Sequence, residues 1–141
     1  MPGPGLRILL AEDNPVNQRL GVRLLGKLGC RADVAANGRE AVEMAGRSEY
    51  DLILMDCRMP EKDGFTATRE IRAGENASSR IPIVAMTAHA VVGAREECLG
   101  AGMDDYITKP ISPPELERVL QKWGSGVVSA PTGRAGEGCV N

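Results

Sequence analysis

The chain has 141 residues, 43% of them apolar and 26% charged, the size and make-up of one soluble globular domain. Seventeen basic against 19 acidic residues leave a net charge of -2, so there is no basic field to hold a nucleic acid backbone or an anionic membrane surface. Tyr50, Phe65, Tyr106 and Trp123 are the only aromatic residues, too few for a base-stacking platform, and aliphatic side chains must make the core.

In chain order, residues 1–5 (MPGPG) read as a short lead without a basic n-region, and the apolar run Ile8 to Ala11 is too short for a signal sequence. No stretch reaches the roughly 18 to 20 apolar residues of a membrane span, so a cytoplasmic, soluble chain is expected. Short β-capable runs follow at Leu6 to Ala11, Arg31 to Ala36, Asp51 to Met55, Ile81 to Met86 and Asp105 to Thr108. Between them the apolar residues take helical spacing: Val16, Leu20, Leu24 and Leu28; Ala41, Val42 and Ala45; Phe65, Thr68 and Ile71; Ala94, Cys98 and Ala101. Leu116, Val119, Leu120 and Trp123 predict a last helix, with Trp123 as its anchor. Gly29 and Gly102 fall where helices should stop, and Asp63-Gly64 and Ser112-Pro113 where they should start. From Gly124 onward periodicity is lost, so residues 124–141 read as a flexible tail or linker after a domain spanning 6–123. Cys30, Cys57, Cys98 and Cys139 form no C-x-x-C pair and read as reduced thiols.

Strands alternating with helices predict an α/β domain: a five-stranded parallel sheet covered on both faces, a (βα)5 three-layer sandwich. The first, third and fourth runs are almost continuously apolar, as central strands are, whereas Arg31 to Val34 alternates and the fifth run is short, as at edges. The strand order 2-1-3-4-5 follows, flavodoxin-like, with a topological switch between strands 1 and 3.

In such sheets ligands bind beyond the carboxyl ends of the strands, at that switch. Strand 1 ends in Glu12-Asp13, strand 3 in Asp56, strand 4 in Thr87-Ala88 and strand 5 in Lys109-Pro110. Three converging carboxylates repel one another unless a cation neutralises them. Mg²⁺ suits this set, since it accepts one or two carboxylates at about 2.0–2.1 Å and keeps waters that phosphate oxygens replace. Three negative charges then balance the metal and Lys109. A phosphoryl group on Asp56 would neutralise that carboxylate and add about -2, an excess that must draw new donors, Thr87 first by strand order.

The segments LLAEDN (9–14), MDCRMPEKDG (55–64), AMTAHA (85–90) and DDYITKPIS (104–112) resemble the receiver domain of two-component response regulators over residues 6 to 123. The wording around them is most similar to receivers of hybrid sensor histidine kinases. The resemblance implies a CheY-like domain in which Asp56 takes a phosphoryl group from the phosphohistidine of a sensor histidine kinase or histidine phosphotransfer domain. It further implies that Asp13 binds Mg²⁺ directly, Glu12 through water, and Arg58 through its backbone carbonyl, with Asp56 as a further ligand. Lys109, followed by a cis Lys109–Pro110 bond, would pair with the phosphoryl oxygens. Thr87 and Tyr106 would form a switch pair that signals to a downstream output domain or protein. Glu12 stands where Asp is more frequent, and Lys62 where many relatives have an apolar residue. Arg58 and His89 occupy positions that influence acyl-phosphate lifetime in the family. Two alternatives remain at this point: a phosphorylation-independent protein-interaction module of the same fold, and an enzyme such as an aspartyl phosphohydrolase or flavodoxin-like redox protein. Arg58 stands where the hydrolase needs a second carboxylate, so turnover on a free substrate is not expected.

Overall fold

The computed structural model describes residues 6–75, 80–88 and 94–124; the lead 1–5, His89, Cys139 and the remainder of the tail lie outside them. Five strands alternate with five helices: β1 (Arg7–Ala11), α1 (Pro15–Lys27), β2 (Arg31–Ala35), α2 (Gly38–Arg47), β3 (Leu52–Asp56), α3 (Gly64–Ala73), β4 (Ile83–Thr87), α4 (Ala94–Ala101), β5 (Asp105–Thr108) and α5 (Pro113–Val119). The sheet is wholly parallel in the order β2-β1-β3-β4-β5, as the apolar pattern requires.

Strand boundaries shift by a residue or two where local chemistry competes with the ladder. Pro82 has no N–H, so β4 begins at Ile83 rather than Ile81. The Ala36 amide goes to the Glu40 carboxylate of α2 (2.9 Å), which ends β2 at Ala35. Asp51 exchanges bonds with the Arg7 backbone, donating its amide at 2.7 Å and accepting on its carboxylate at 2.7 Å, and β3 follows it.

Helix ends are set by side chains. Asn14, Asn37 and Asp63 cap α1, α2 and α3 by accepting from the amides of Val16 and Asn17, Glu40, and Thr66. Ser112 stands at the N-cap of α5, but its side chain makes no capping bond. After α1 and α4 the chain turns through Gly29 (φ 83°) and Gly102 (φ 106°), each in a paired 6→1 and 5→2 closure that glycine adopts without Cβ strain. The last helix departs from expectation. α5 stops at Val119 and a π-helical turn, Leu120–Gly124, follows, seating Trp123 so that its Nε1 donates to Asp105 Oδ2 at 3.0 Å.

Alternation along each central strand builds two cores. Ile8, Leu10, Leu52, Leu54, Val84 and Met86 face α1 and α5, while Leu9, Ile53, Met55, Ile83 and Ala85 face α2, α3 and α4. At the amino ends of the strands Arg72 of α3 ties the next two elements together. It reaches the carbonyls of Gly102 (2.8 Å) and Ile81 (2.6 Å) and the carboxylates of Glu75 and Asp104. No helix among the described residues is long and apolar enough to cross a membrane.

Asp105 closes the other edge. Burial alone would raise its carboxyl, but the Trp123 indole, the Tyr106 amide and Arg118 outweigh that and hold it below the ordinary 3.8. A depressed carboxylate stabilises the fold above its unfolded value and loses that contribution as pH falls through the folded one. Urea denaturation of Asp105→Asn should show a deficit of about 1 kcal/mol at neutral pH that shrinks below pH 3.8. A deficit constant through the acid range would contradict this.

Candidate functional site

The carboxyl ends of β1, β3 and β5 deliver the acidic and basic groups to one rim. Glu12 follows β1 and is 1% exposed, and Asp56 closes β3 at 4%. Asp13 is exposed beside them. One oxygen from each of the three lies within 4.8 Å of the others. Among the described residues no other cluster of this kind occurs.

Lys109, just past β5, reaches into the cluster. Its Nζ donates to Asp56 Oδ2 at 2.7 Å and sits 3.0 Å from Glu12 Oε1, the latter an ion pair whose angles fall short of a hydrogen bond. Burial by itself would lower the Lys109 ammonium. The hydrogen bond to Asp56 and the charges of Asp56 and Glu12 override it and hold the group above the ordinary lysine value. The Lys109 amide donates to the Thr87 carbonyl at 2.8 Å, which joins the lysine to the end of β4, and the Lys109–Pro110 bond is cis as the resemblance implies.

Local sequence explains the rest of the geometry. The Asn14 amide donates to Glu12 Oε2 at 3.0 Å, and Gln18 Nε2 of α1 donates to the Glu12 carbonyl at 2.7 Å, so the helix start holds the acidic corner. The Arg58 amide donates to Asp56 Oδ1 at 3.2 Å, while the Arg58 side chain is exposed. A Cβ on Gly64 would overlap the Asp56 carbonyl and lie 3.0 Å from Met55 Cγ, so only glycine lets α3 start this close to the strand end.

Glu12, Asp13, Asp56 and Lys109 are thus brought into one cluster, with Arg58 bound through its amide. Thr87 ends β4 one residue beyond Met86, the register partner of Asp56, and is half-buried on the same rim. Tyr106 lies in β5 opposite Ala85, and its partly buried side chain packs on the α2–α3–α4 core rather than in the cluster. Gln18 was not singled out in the sequence; its signal was its place one turn after the Asn14 cap. A concavity of about 760 Å³ lies at the other end of the strands against Arg7, Tyr50, Asp51 and Ile81 and contains none of the cluster.

Three carboxylates against one ammonium leave a formal charge of -2, which a divalent cation balances. Oxygens around Mg²⁺ stand about 3 to 4 Å apart, so the present spacing needs only small side-chain adjustments. Glu12 Oε1, buried without a hydrogen-bond donor, is the oxygen such an ion or its water would satisfy.

Cys57, next to Asp56, is 6% exposed. Burial first, then the Cys98 thiol and the Asp56 and Glu97 carboxylates, push its thiol up to about 12. Peptide mapping after iodoacetamide at mildly alkaline pH should therefore find Cys57 unmodified in the native chain and modified in denaturant. Equal rates in both would show that the thiol is accessible.

Comparison with known proteins places this arrangement among others. Residues 8–121 match the model of the response regulator receiver domain. The chain is 45% identical over 121 residues to hybrid signal transduction histidine kinase G of Dictyostelium discoideum, covering 84% of this chain and 4% of that protein. It is 44% identical over 119 residues to sensor protein GacS of Pseudomonas syringae pv. syringae, covering 83% of this chain and 13% of that one. The chain therefore spans only a small part of the length of these curated relatives. Among solved structures, the receiver domain of the Pseudomonas aeruginosa PAO1 sensor histidine kinase PA1611 is 55% identical with a TM-score of 0.79, covering 86% of this chain and 98% of that one. It holds a magnesium ion in its active site cleft. The receiver domain of Saccharomyces cerevisiae Ssk1, in complex with the histidine phosphotransfer protein Ypd1, is 30% identical with a TM-score of 0.80, covering 87% and 91%.

Proposed function

The chain belongs to the response regulator receiver domain family of two-component signalling, and from that premise we propose that Asp56 is its phosphoacceptor. The observation that carries this reading is the Lys109 ammonium lying between the carboxylates of Glu12 and Asp56. A lysine so placed donates to the Asp56 carboxylate and already stands where phosphoryl oxygens must arrive.

Asp13, Asp56 and the Arg58 carbonyl would hold Mg²⁺, with Glu12 acting through a water. Bound there, the ion supplies positive charge to the oxygens of the transferring group. An Asp56 carboxylate oxygen attacks the phosphorus of a phosphohistidine, the new P–O bond forms as the P–N bond breaks, and the imidazole leaves with that electron pair. Lys109 turns from the carboxylates to the phosphoryl oxygens, and the Thr87 hydroxyl donates to another of them.

The domain spends one phosphoryl group per event and turns over no free substrate. Its output is a change of surface, in which Thr87 moves toward the phosphate and the Tyr106 ring turns inward. Carrying such an equilibrium from 1:99 to 99:1 takes about 5.5 kcal/mol. About two to four charge-assisted bonds at about 1.5–3 kcal/mol each supply that.

We read residues 6–123 as the receiver, flanked by 1–5 and 124–141, working in the cytoplasm. The donor is a sensor histidine kinase or a histidine phosphotransfer domain, and a downstream output domain or protein reads the switched surface. The hybrid kinases among the relatives and the Ypd1 complex of the Ssk1 receiver support that choice of partners.

Incubation with a small-molecule acyl phosphate and Mg²⁺ should add one phosphoryl group, seen by intact mass and removed by hydroxylamine. Asp56→Asn should abolish it. Undiminished labelling of that variant would overturn the assignment.

A further inference from the structure

We propose that the N-terminus of α2, through Gly38 and Arg39, is a positioning surface for the loop that follows the phosphoacceptor. This rests on reading Asp56 as acceptor and the Arg58 carbonyl as a metal ligand.

The loop, residues 57–63, must reverse between β3 and α3 in very few residues. Its closure is the Gly64 amide donating to the Cys57 carbonyl at 3.1 Å. Within it the Lys62 amide donates to the Pro60 carbonyl at 2.7 Å across Glu61, whose φ is 66°. An i to i+2 bond around a residue with positive φ is the uncommon, strained form of γ-turn, and Glu61 carries a Cβ. Such a conformation persists only where its surroundings impose it.

Two contacts from α2 impose it. Gly38 is buried, and a Cβ there would overlap the Lys62 carbonyl oxygen and lie 2.8 Å from its carbon and 3.0 Å from Lys62 Cβ. The next residue, Arg39, places Nε 3.1 Å from Glu61 Oε1, on the strained residue itself. The platform is firm, because Asn37 caps α2 at the Glu40 amide and Glu40 returns to the Ala36 amide. From α3, Lys62 Nζ is tied to Glu70 at 2.6 Å. The same short loop carries Arg58, whose amide donates to Asp56 Oδ1 at 3.2 Å. A shift of Lys62 away from α2 is thus passed along the turn to the backbone at Arg58, and α2 governs the site without touching the reacting atoms.

The test is Mg²⁺ binding to the full chain by calorimetry, a readout that needs no phosphoryl donor. Gly38→Ala should weaken it about ten-fold, the scale of an outer-shell substitution at a metal site. Gly46→Ala, on the same helix with nothing within 4 Å of the added Cβ, should bind as the parent does. Arg39→Gln should weaken binding about two-fold, whereas loss of a nearby positive charge acting through the field alone would strengthen it. Should Gly38→Ala not fold, the sign of the Arg39→Gln effect decides, since that ion pair is exposed.

Unchanged affinity in Gly38→Ala, or unchanged or stronger binding in Arg39→Gln, overturns the positioning role. A parent chain that binds Mg²⁺ but takes no phosphoryl group removes the phosphoacceptor reading and leaves the positioning role to these variants. A parent chain that binds no Mg²⁺ overturns both.

Discussion

A lysine ammonium drawn between two buried carboxylates at the end of a parallel sheet is the interaction on which the rest of this molecule depends. Glu12 and Asp56 are almost wholly withdrawn from water, and Lys109 reaches both, at 3.0 and 2.7 Å. Groups of this kind contribute little net stability, because the cost of leaving water offsets most of their attraction. Their value is chemical: on the proposed reading, the positive group opposite Asp56 is in place before any phosphoryl donor arrives. Asp13, exposed at the mouth, leaves the cluster with more negative charge than Lys109 can balance, and so open to a divalent cation.

The sheet makes this convergence possible. Parallel strands present their carboxyl ends on one side, and the switch between β1 and β3 opens a crevice there. Short-range devices then aim the groups. Asn14 and Gln18 hold the Glu12 corner, Gly64 admits α3 against the end of β3, and the Lys109 amide is bound to Thr87. The loop after Asp56 is strained at Glu61 and leans on α2, which makes a helix outside the cluster part of its geometry.

Rigidity is distributed differently from chemistry. A dense polar network around Arg72, Glu75 and Asp104 lies at the amino ends of the strands and ties α3, β4 and the turn before β5. At the β5 edge Asp105 collects Trp123, Arg118 and the Tyr106 amide, anchoring the last turn of the chain beside the strand that bears Tyr106. The strand bearing the proposed switch is therefore tied to the helix through which the chain leaves the sheet.

Hydrophobic period and turn residues carried the fold: alternation separated edge from central strands, and Gly29, Gly102 and Asp63 marked helix ends, because local sterics and capping act within a few residues. The ordered carboxylates, hydroxyl and lysine also made the site legible, since a parallel sheet brings strand ends together once its order is known. What the one-dimensional pattern did not contain were contacts between residues far apart in the chain. That Gly38 must lack a Cβ is decided by Lys62, and the π-helical turn at Leu120–Gly124 goes with the Trp123 bond to Asp105. Sequence alone determined which groups meet at the rim; only the tertiary structure decided how they are held, because close approach and hydrogen-bond direction depend on distances that no local pattern encodes.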